Sequence, residues 1–380
     1  MWALRQNLMR AFQHRDFRLL WIGAFLSFVG SWIQNVAQGW LVYELTHDKA
    51  KLAIVTFCQM APVSVFGPFA GAFADTFNKR KLLVFAQSVF ALGAIYLMLA
   101  THYGFVRYEH ILVVALIFGL TGCIEMPARQ SVVSNVVPPE DLAAAIPLNA
   151  MTFNVARIIG PAIGGFLVYR FGPSICYGIN GFSYIAIILS VLVIKTDLSA
   201  VRRAAQPIGD LLFEGMKYTF QDRRLRMLFT MEATMSTFGL FYLSQMPAIA
   251  TEMLRLDQRG YGFAMTTVGF GAIAGLLLNT VLSHRELKAK IVLTAMTVSG
   301  VTLLALGFTR MPIFAFPLLA IIGMSAIMQF NTTNTLFQTL SPEHLRGRVL
   351  AMHIYAISGV GPFGILFFGW LAETTKGPTI

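Results

Sequence analysis

Charge is what this chain has least of. Asp, Glu, Lys and Arg make up 12% of its 380 residues, against about 25% in ordinary soluble domains. That shortage excludes the two or three soluble domains that the length alone would allow. Cysteine is also scarce. Cys58, Cys123 and Cys176 each sit inside an apolar run with neither disulfide nor metal spacing, so they read as packing residues and no metal is expected. There is no Gly-x4-Gly-Lys-Ser/Thr loop, which excludes a P-loop ATPase. Nor is there a His-Glu-x2-His or Ser/His/Asp constellation; the seven histidines are scattered, mostly in or near loops. The chain is therefore not expected to be an enzyme or to carry a cofactor. A cleavable signal peptide is not visible either, because residues 1–18 are basic and the apolar run after them is too long for a signal core.

What is present is hydrophobicity in blocks. Apolar residues are 56% of the chain and fall in uncharged runs of about 20 residues or more, enough to cross a bilayer as helices. Eleven runs can be marked, at 19–43, 52–73, 82–100, 111–137, 143–169, 173–194, 225–250, 262–282, 291–308, 312–336 and 349–371. The fold class is all-α and polytopic. The longest polar gap, 195–224, reads as a linker with a short amphipathic helix at 211–220. The net charge of +11 could indicate a nucleic-acid partner, but the cations lie in loops between spans. Most of them, including Arg10, Arg15, Arg18, Lys79, Arg80, Lys81, Arg223, Arg224, Lys288, Lys290, Arg346 and Arg348, fall at the amino terminus or after even-numbered spans. Positive-inside topology then places the amino terminus in the cytoplasm, and no nucleic acid is expected.

The chain also repeats itself. Pro139-Glu140-Asp141-Leu142 precedes a helix reaching Gly160-Pro161, and Pro342-Glu343-His344-Leu345 precedes one reaching Gly361-Pro362. A polar loop that recurs together with its helix points to two copies of one unit.

The charged knot GAFADTFNKRK, residues 71–81, lies between the second and third runs. Gly71, Asp75, Arg80 and Lys81 resemble the signature loop of the major facilitator superfamily, a Gly-x3-Asp followed by a basic cluster. Thr76 and Asn78 depart from its usual pattern. The resemblance implies two pseudo-symmetric six-helix bundles: 1–195, a cytoplasmic linker at 196–224, and 225–380 with five spans present and the twelfth helix absent. It further implies that Asp75 clamps the cytoplasmic side shut, with Arg80 and Lys81 in support. Gly160, Pro161, Gly164 and Gly165 resemble the glycine–proline element of the superfamily's exporters. Physically, that element allows close backbone approach and a bend at the proline. Phrases such as Asp16-Phe17-Arg18 and Leu345-Arg346-Gly347-Arg348 resemble the subgroup of enterobactin exporters and macrolide-efflux proteins.

Charges within the runs carry the mechanism. Glu125 and Arg157 lie near mid-membrane, where a charge costs about 2.5–3.5 kcal/mol, so a partner or a cavity is expected. Arg129 follows Glu125 by four residues on one helical face. Glu125 between two arginines reads either as a pin between helices or as a proton- or anion-responsive site. Arg157 is the better candidate for meeting an anionic substrate. Glu232 has no cation within a helical turn in sequence. An unpaired, partly buried carboxylate suits a proton carrier; one wetted at the membrane edge is the alternative. Gln34, Asn35 and Gln38 on the first span and Gln329, Asn331 and Asn334 on the tenth add amides. The resemblance places those helices around a central cavity.

Together these features imply a secondary exporter in the bacterial inner membrane, moving a small siderophore- or drug-like molecule in exchange for protons and acting as a monomer. Uptake is the alternative within transporters, and a transport-inactive sensor is the alternative outside them.

Overall fold

The computed structural model describes residues 10–199, 208–282, 287–343 and 345–375, with the side chains of 68–75 and 208–212 outside the description. The described residues are helical almost throughout. In chain order the first helices are α1 (Arg15–Thr46), α2 (Lys49–Thr76), α3 (Lys79–His102), α4 (Tyr108–Asn135), α5 (Leu142–Phe171) and α6 (Pro173–Val193). The linker helix α7 (Ile208–Gln221) follows. Then come α8 (Arg223–Gly239), α9 (Phe241–Ala248), α10 (Gln258–Leu282), α11 (Lys288–Phe308), α12 (Pro312–Leu340), α13 (Arg346–Ser358) and α14 (Gly361–Thr374). Ten of the resulting segments are long and apolar enough to cross a membrane, α13 and α14 counting as one. Helices suit that medium because each satisfies its own backbone polar groups.

Turn chemistry sets the helix ends. Asn78 caps α3 by accepting from Lys81 N, and Asp222 caps α8 by accepting from Arg224 N and Leu225 N. Between α5 and α6, Gly172 adopts a φ of 80°, a left-handed value that favours glycine, and Pro173 opens the next helix. The amphipathic helix expected at 211–220 is present as α7.

The seventh run differs from the expected single span. It is broken into α8, α9 and a π-helical turn, Ile249–Met253. Pro247 inside α9 has no amide hydrogen to donate, so backbone carbonyls near it must find other donors. Further on, Thr251 Oγ1 donates back to Pro247 O at 2.9 Å and Ala248 O at 3.3 Å. The repeat also diverges in detail. Pro161 lies inside the continuous α5, whereas Gly361-Pro362 starts a new helix after the chain turns at Gly359.

The chain forms two compact units. One comprises Met1–Gln38 with Phe69–Ala204, and the other Gly39–Pro68 with Ala205–Ile380. The first is packed around Phe17, Leu20, Leu83, Val132, Ile187 and Ile194. In the second, Leu225, Leu228, Phe337, Leu345 and Val349 tie α8 to α12 and α13. Large apolar side chains such as Leu92, Phe182, Leu277 and Leu304 remain exposed in mid-helix. Apolar exposure on this scale marks a surface that meets something other than water, and along membrane-length helices that is lipid.

Candidate functional site

In the first unit, Glu125 is buried on α4 and is held from two helices. Arg129 Nε lies 3.2 Å from Glu125 Oε1, and Gln87 Nε2 of α3 donates to the same oxygen at 2.9 Å. The Arg129 guanidinium also sits 4.1 Å above the Phe28 ring of α1, a cation–π contact that strengthens when water is excluded. Glu125 and Arg129 therefore draw α1, α3 and α4 together. Arg157 on α5 donates to Asn154 Oδ1, one turn back, at 3.2 Å. Gln34 is buried and accepts from Asn180 Nδ2 of α6 at 2.7 Å; Gln38 is buried and Asn35 exposed.

In the second unit, Glu232 has no exposed surface and lies within α8. Its partner is His353 of α13, with Nδ1 2.8 Å from Glu232 Oε2. The imidazole also packs beside Phe337 of α12, centroid to centroid at 5.8 Å. Gln329 of α12 is fully buried, and its Nε2 lies 3.5 Å from Met231 O, beside Glu232 in the chain. Among the described residues, Glu232 Oε1, Gln329 Oε1 and Thr333 Oγ1 are buried without a hydrogen-bond partner. Such atoms are costly to bury unless a proton, a water or a ligand visits them. Asn331 and Asn334 are half-buried, and Asn334 Oδ1 accepts from Gln338. The sequence-level view of Glu232 as a carboxylate without a partner is thus corrected: helix packing supplies a histidine from 121 residues away.

The knot and the packing element are built differently. Gly71 and Asp75 have side chains outside the described residues. Arg80 Nη2 donates to Ile194 O at 2.6 Å and to Thr196 O at 3.1 Å, so it caps the carbonyl end of α6, where positive charge is favoured. Lys79 Nζ donates to Asn135 Oδ1 at the end of α4, 2.9 Å away. Lys81 contributes its backbone amide to the Asn78 cap. Gly160 and Gly164 bring α5 against α1: a Cβ at Gly160 would collide with Trp32 Cβ, and one at Gly164 would lie 3.1 Å from Ile33 O. Pro161 and Gly165 are buried beside them.

One polar assembly has no counterpart in the sequence reading. In the second unit, Lys49 Nζ at the start of α2 pairs with Glu252 Oε2 of the π turn at 2.7 Å. Tyr43 OH of α1 donates to Glu252 Oε1 at 2.7 Å. The Lys49 backbone amide donates to Glu373 Oε2 of α14 at 2.9 Å, and buried Gln245 donates to Lys49 O at 3.2 Å. Each residue alone looks like an ordinary loop charge, so only the packing of α1, α2, α9 and α14 reveals the set.

Known proteins resemble this chain along nearly its whole length. The staphyloferrin A transporter of Staphylococcus aureus (strain NCTC 8325 / PS 47) is 25% identical over 354 residues, which is 92% of this chain and 88% of the relative. The multidrug efflux pump Tap of Mycolicibacterium fortuitum is 25% identical, covering 93% and 88% of the two chains. The enterobactin exporter EntS of Shigella flexneri is 23% identical, covering 92% and 82%. Among solved structures, the nucleoside transporter NupG matches with a TM-score of 0.74 at 15% identity, over 96% of this chain and 93% of that one. A bacterial homologue of ferroportin in its inward-facing state matches with a TM-score of 0.70 at 14% identity, over 95% and 93%. These structural likenesses establish the fold. The family model described as transmembrane secretion effector matches residues 8–379. The chain is a multi-pass, non-enzymatic transporter that belongs to the transmembrane secretion effector family of the major facilitator superfamily.

Proposed function

We propose that this transporter exports a small siderophore- or drug-like molecule across the bacterial inner membrane in exchange for protons. Its amino terminus is cytoplasmic, it works as a monomer, and the bundles at 1–195 and 225–380 alternate access through motion about the 196–224 linker. The export direction and substrate class follow the named relatives, two of which handle siderophores and one of which is a multidrug efflux pump. The glycine–proline element at Gly160–Gly165 points the same way.

The observation that carries the coupling is the contrast between the two buried carboxylates. Glu125 is held by a cation, Arg129, and by Gln87, both at Oε1. Glu232 keeps one buried oxygen without a hydrogen-bond partner. A carboxylate held by a cation serves as a pin, whereas one with a vacant acceptor can take up and release a proton. Glu232 is accordingly the coupling residue, and Arg157 is the candidate for meeting an anionic substrate.

The test is transport in proteoliposomes under an imposed pH gradient, with ethidium, erythromycin and a catecholate and a carboxylate siderophore as probes. At least one probe should be concentrated against its gradient by the wild-type protein. Glu232→Gln should still exchange that probe down its gradient but no longer concentrate it. Full uphill transport by Glu232→Gln would move the coupling site elsewhere.

A further inference from the structure

We infer that Glu232 and His353 form a single proton-binding unit, in which the imidazole is the port through which protons reach the carboxylate. This rests on the reading of Glu232 as the coupling residue and extends it to a second residue that the sequence alone does not connect with it.

Three observations carry the inference. The two side chains are within hydrogen-bond distance, 2.8 Å between His353 Nδ1 and Glu232 Oε2. Both are buried, yet unequally: the carboxylate side chain has 0% of its surface exposed and the imidazole 6%. Access to the carboxylate is therefore easier along the imidazole. Finally, the remaining oxygen, Glu232 Oε1, is buried with no partner among the described residues. An isolated buried anion is unfavourable, so the pair is most stable when it holds one proton and no net charge.

Among the described residues, His353 is the ionisable group within hydrogen-bond distance of Glu232. Among the described residues, the elements packed against α8 bring Glu214, Lys217 and Tyr218 of α7, Tyr242 of α9, and Lys288 and Lys290 of α11. They also bring Arg346, Arg348, His353 and Tyr355 of α13 and Glu373 of α14, while α12 brings none. Of these, His353 is the one in an ion pair with the Glu232 carboxylate. α8 itself carries Arg223, Arg224 and Arg226 in its first turn, six or more residues before Glu232.

The step is simple and balanced. In the singly protonated pair the proton lies either on Nδ1, as imidazolium beside carboxylate, or on Oε2, as carboxylic acid beside neutral imidazole. Loss of that proton through the imidazole leaves a net charge of −1 shared by α8 and α13. The two helices then hold a buried anion in one state and a neutral pair in the other. Histidine is suited to this exchange because its ordinary titration falls in the physiological range.

The test reads the proton directly, without a transported molecule. Infrared difference spectra of the purified protein, recorded across the range in which histidine titrates, should show an acid-carbonyl band that disappears in Glu232→Gln. In His353→Gln the midpoint of that band should move by about one pH unit, a tenfold change in proton affinity. An unmoved midpoint in a folded His353→Gln protein would overturn the inference. Should that variant fail to fold, wild-type protein labelled with 15N-histidine settles the matter. One histidine resonance must then titrate with the same midpoint as the carbonyl band, and the lack of any such coincidence would equally overturn it. Failure of the exporter reading looks different. A shared, His353-dependent midpoint with no proton-driven transport of any probe would retain the pair and remove the antiport.

Discussion

Glu125 shows how a single buried charge can be structural. Its carboxylate is bound by Arg129 on its own helix and by Gln87 on α3, so removing the cation strands an anion away from water. Arg129→Met should therefore lower the stability of the detergent-purified protein by about 3–5 kcal/mol. The double variant Glu125→Gln, Arg129→Met should recover most of that loss in a thermal-unfolding assay. An Arg129→Met protein as stable as wild type would show that the pair is not a pin. Outside the spans, Asp257 precedes α10 and its carboxylate accepts from Gly260 N and Arg259 Nε. Partial burial acts to raise its pKa, but those two donors outweigh burial and hold the carboxyl below the ordinary carboxylate range. Because the folded value is lowered, the benefit is complete above the unfolded value and is lost as pH falls through the folded one. Asp257→Ala should cost about 1 kcal/mol at neutral pH. The gap from wild type should close in strong acid; a gap independent of pH would contradict the capping role.

Helices, more than residues, hold the scaffold together, and their contacts rely on close backbone approach. Gly160→Val would force α5 away from Trp32 on α1, so it should reduce both the yield of folded protein and its unfolding temperature. Gly122→Ala on α4 meets nothing within 4 Å and should behave as wild type. Equal effects of the two changes would contradict the packing reading. Most of this level was legible in the sequence, because membrane-length apolar runs, proline and glycine breaks and an i,i+4 pair such as Glu125–Arg129 are local patterns. Contacts that arise only when helices dock were not. His353 reaches Glu232 across 121 residues, and Lys49 reaches Glu252 across most of the chain. The break in the seventh run was also hidden, since its uncharged composition continues past Leu240 to Ala250. Arg80 illustrates a partial case: its basic character was plain, but its use as a cap on α6 depends on where the chain returns.

At the scale of the whole molecule, the proposed topology rests on the excess of cations at the amino terminus and after even-numbered spans, and it puts the knot at 71–81 on the cytoplasmic face. In the proposed cycle Asp75 helps to close that face. Asp75→Asn should then increase the reactivity of single cysteines placed at the cytoplasmic ends of α4 and α12, with insertion unaffected. Unchanged reactivity in a normally expressed variant would leave the knot with a topological role alone. In the proposed cycle, substrate moving one way drives a proton the other way through Glu232. The most direct test traps a pH-sensitive dye inside proteoliposomes with no imposed pH gradient and then applies a gradient of whichever probe the transport panel identifies. Wild-type protein should move protons against the direction of the probe, and Glu232→Gln should move the probe with no pH change. Probe movement by the wild-type protein without any pH change, or an undiminished pH change in Glu232→Gln, would contradict that coupling.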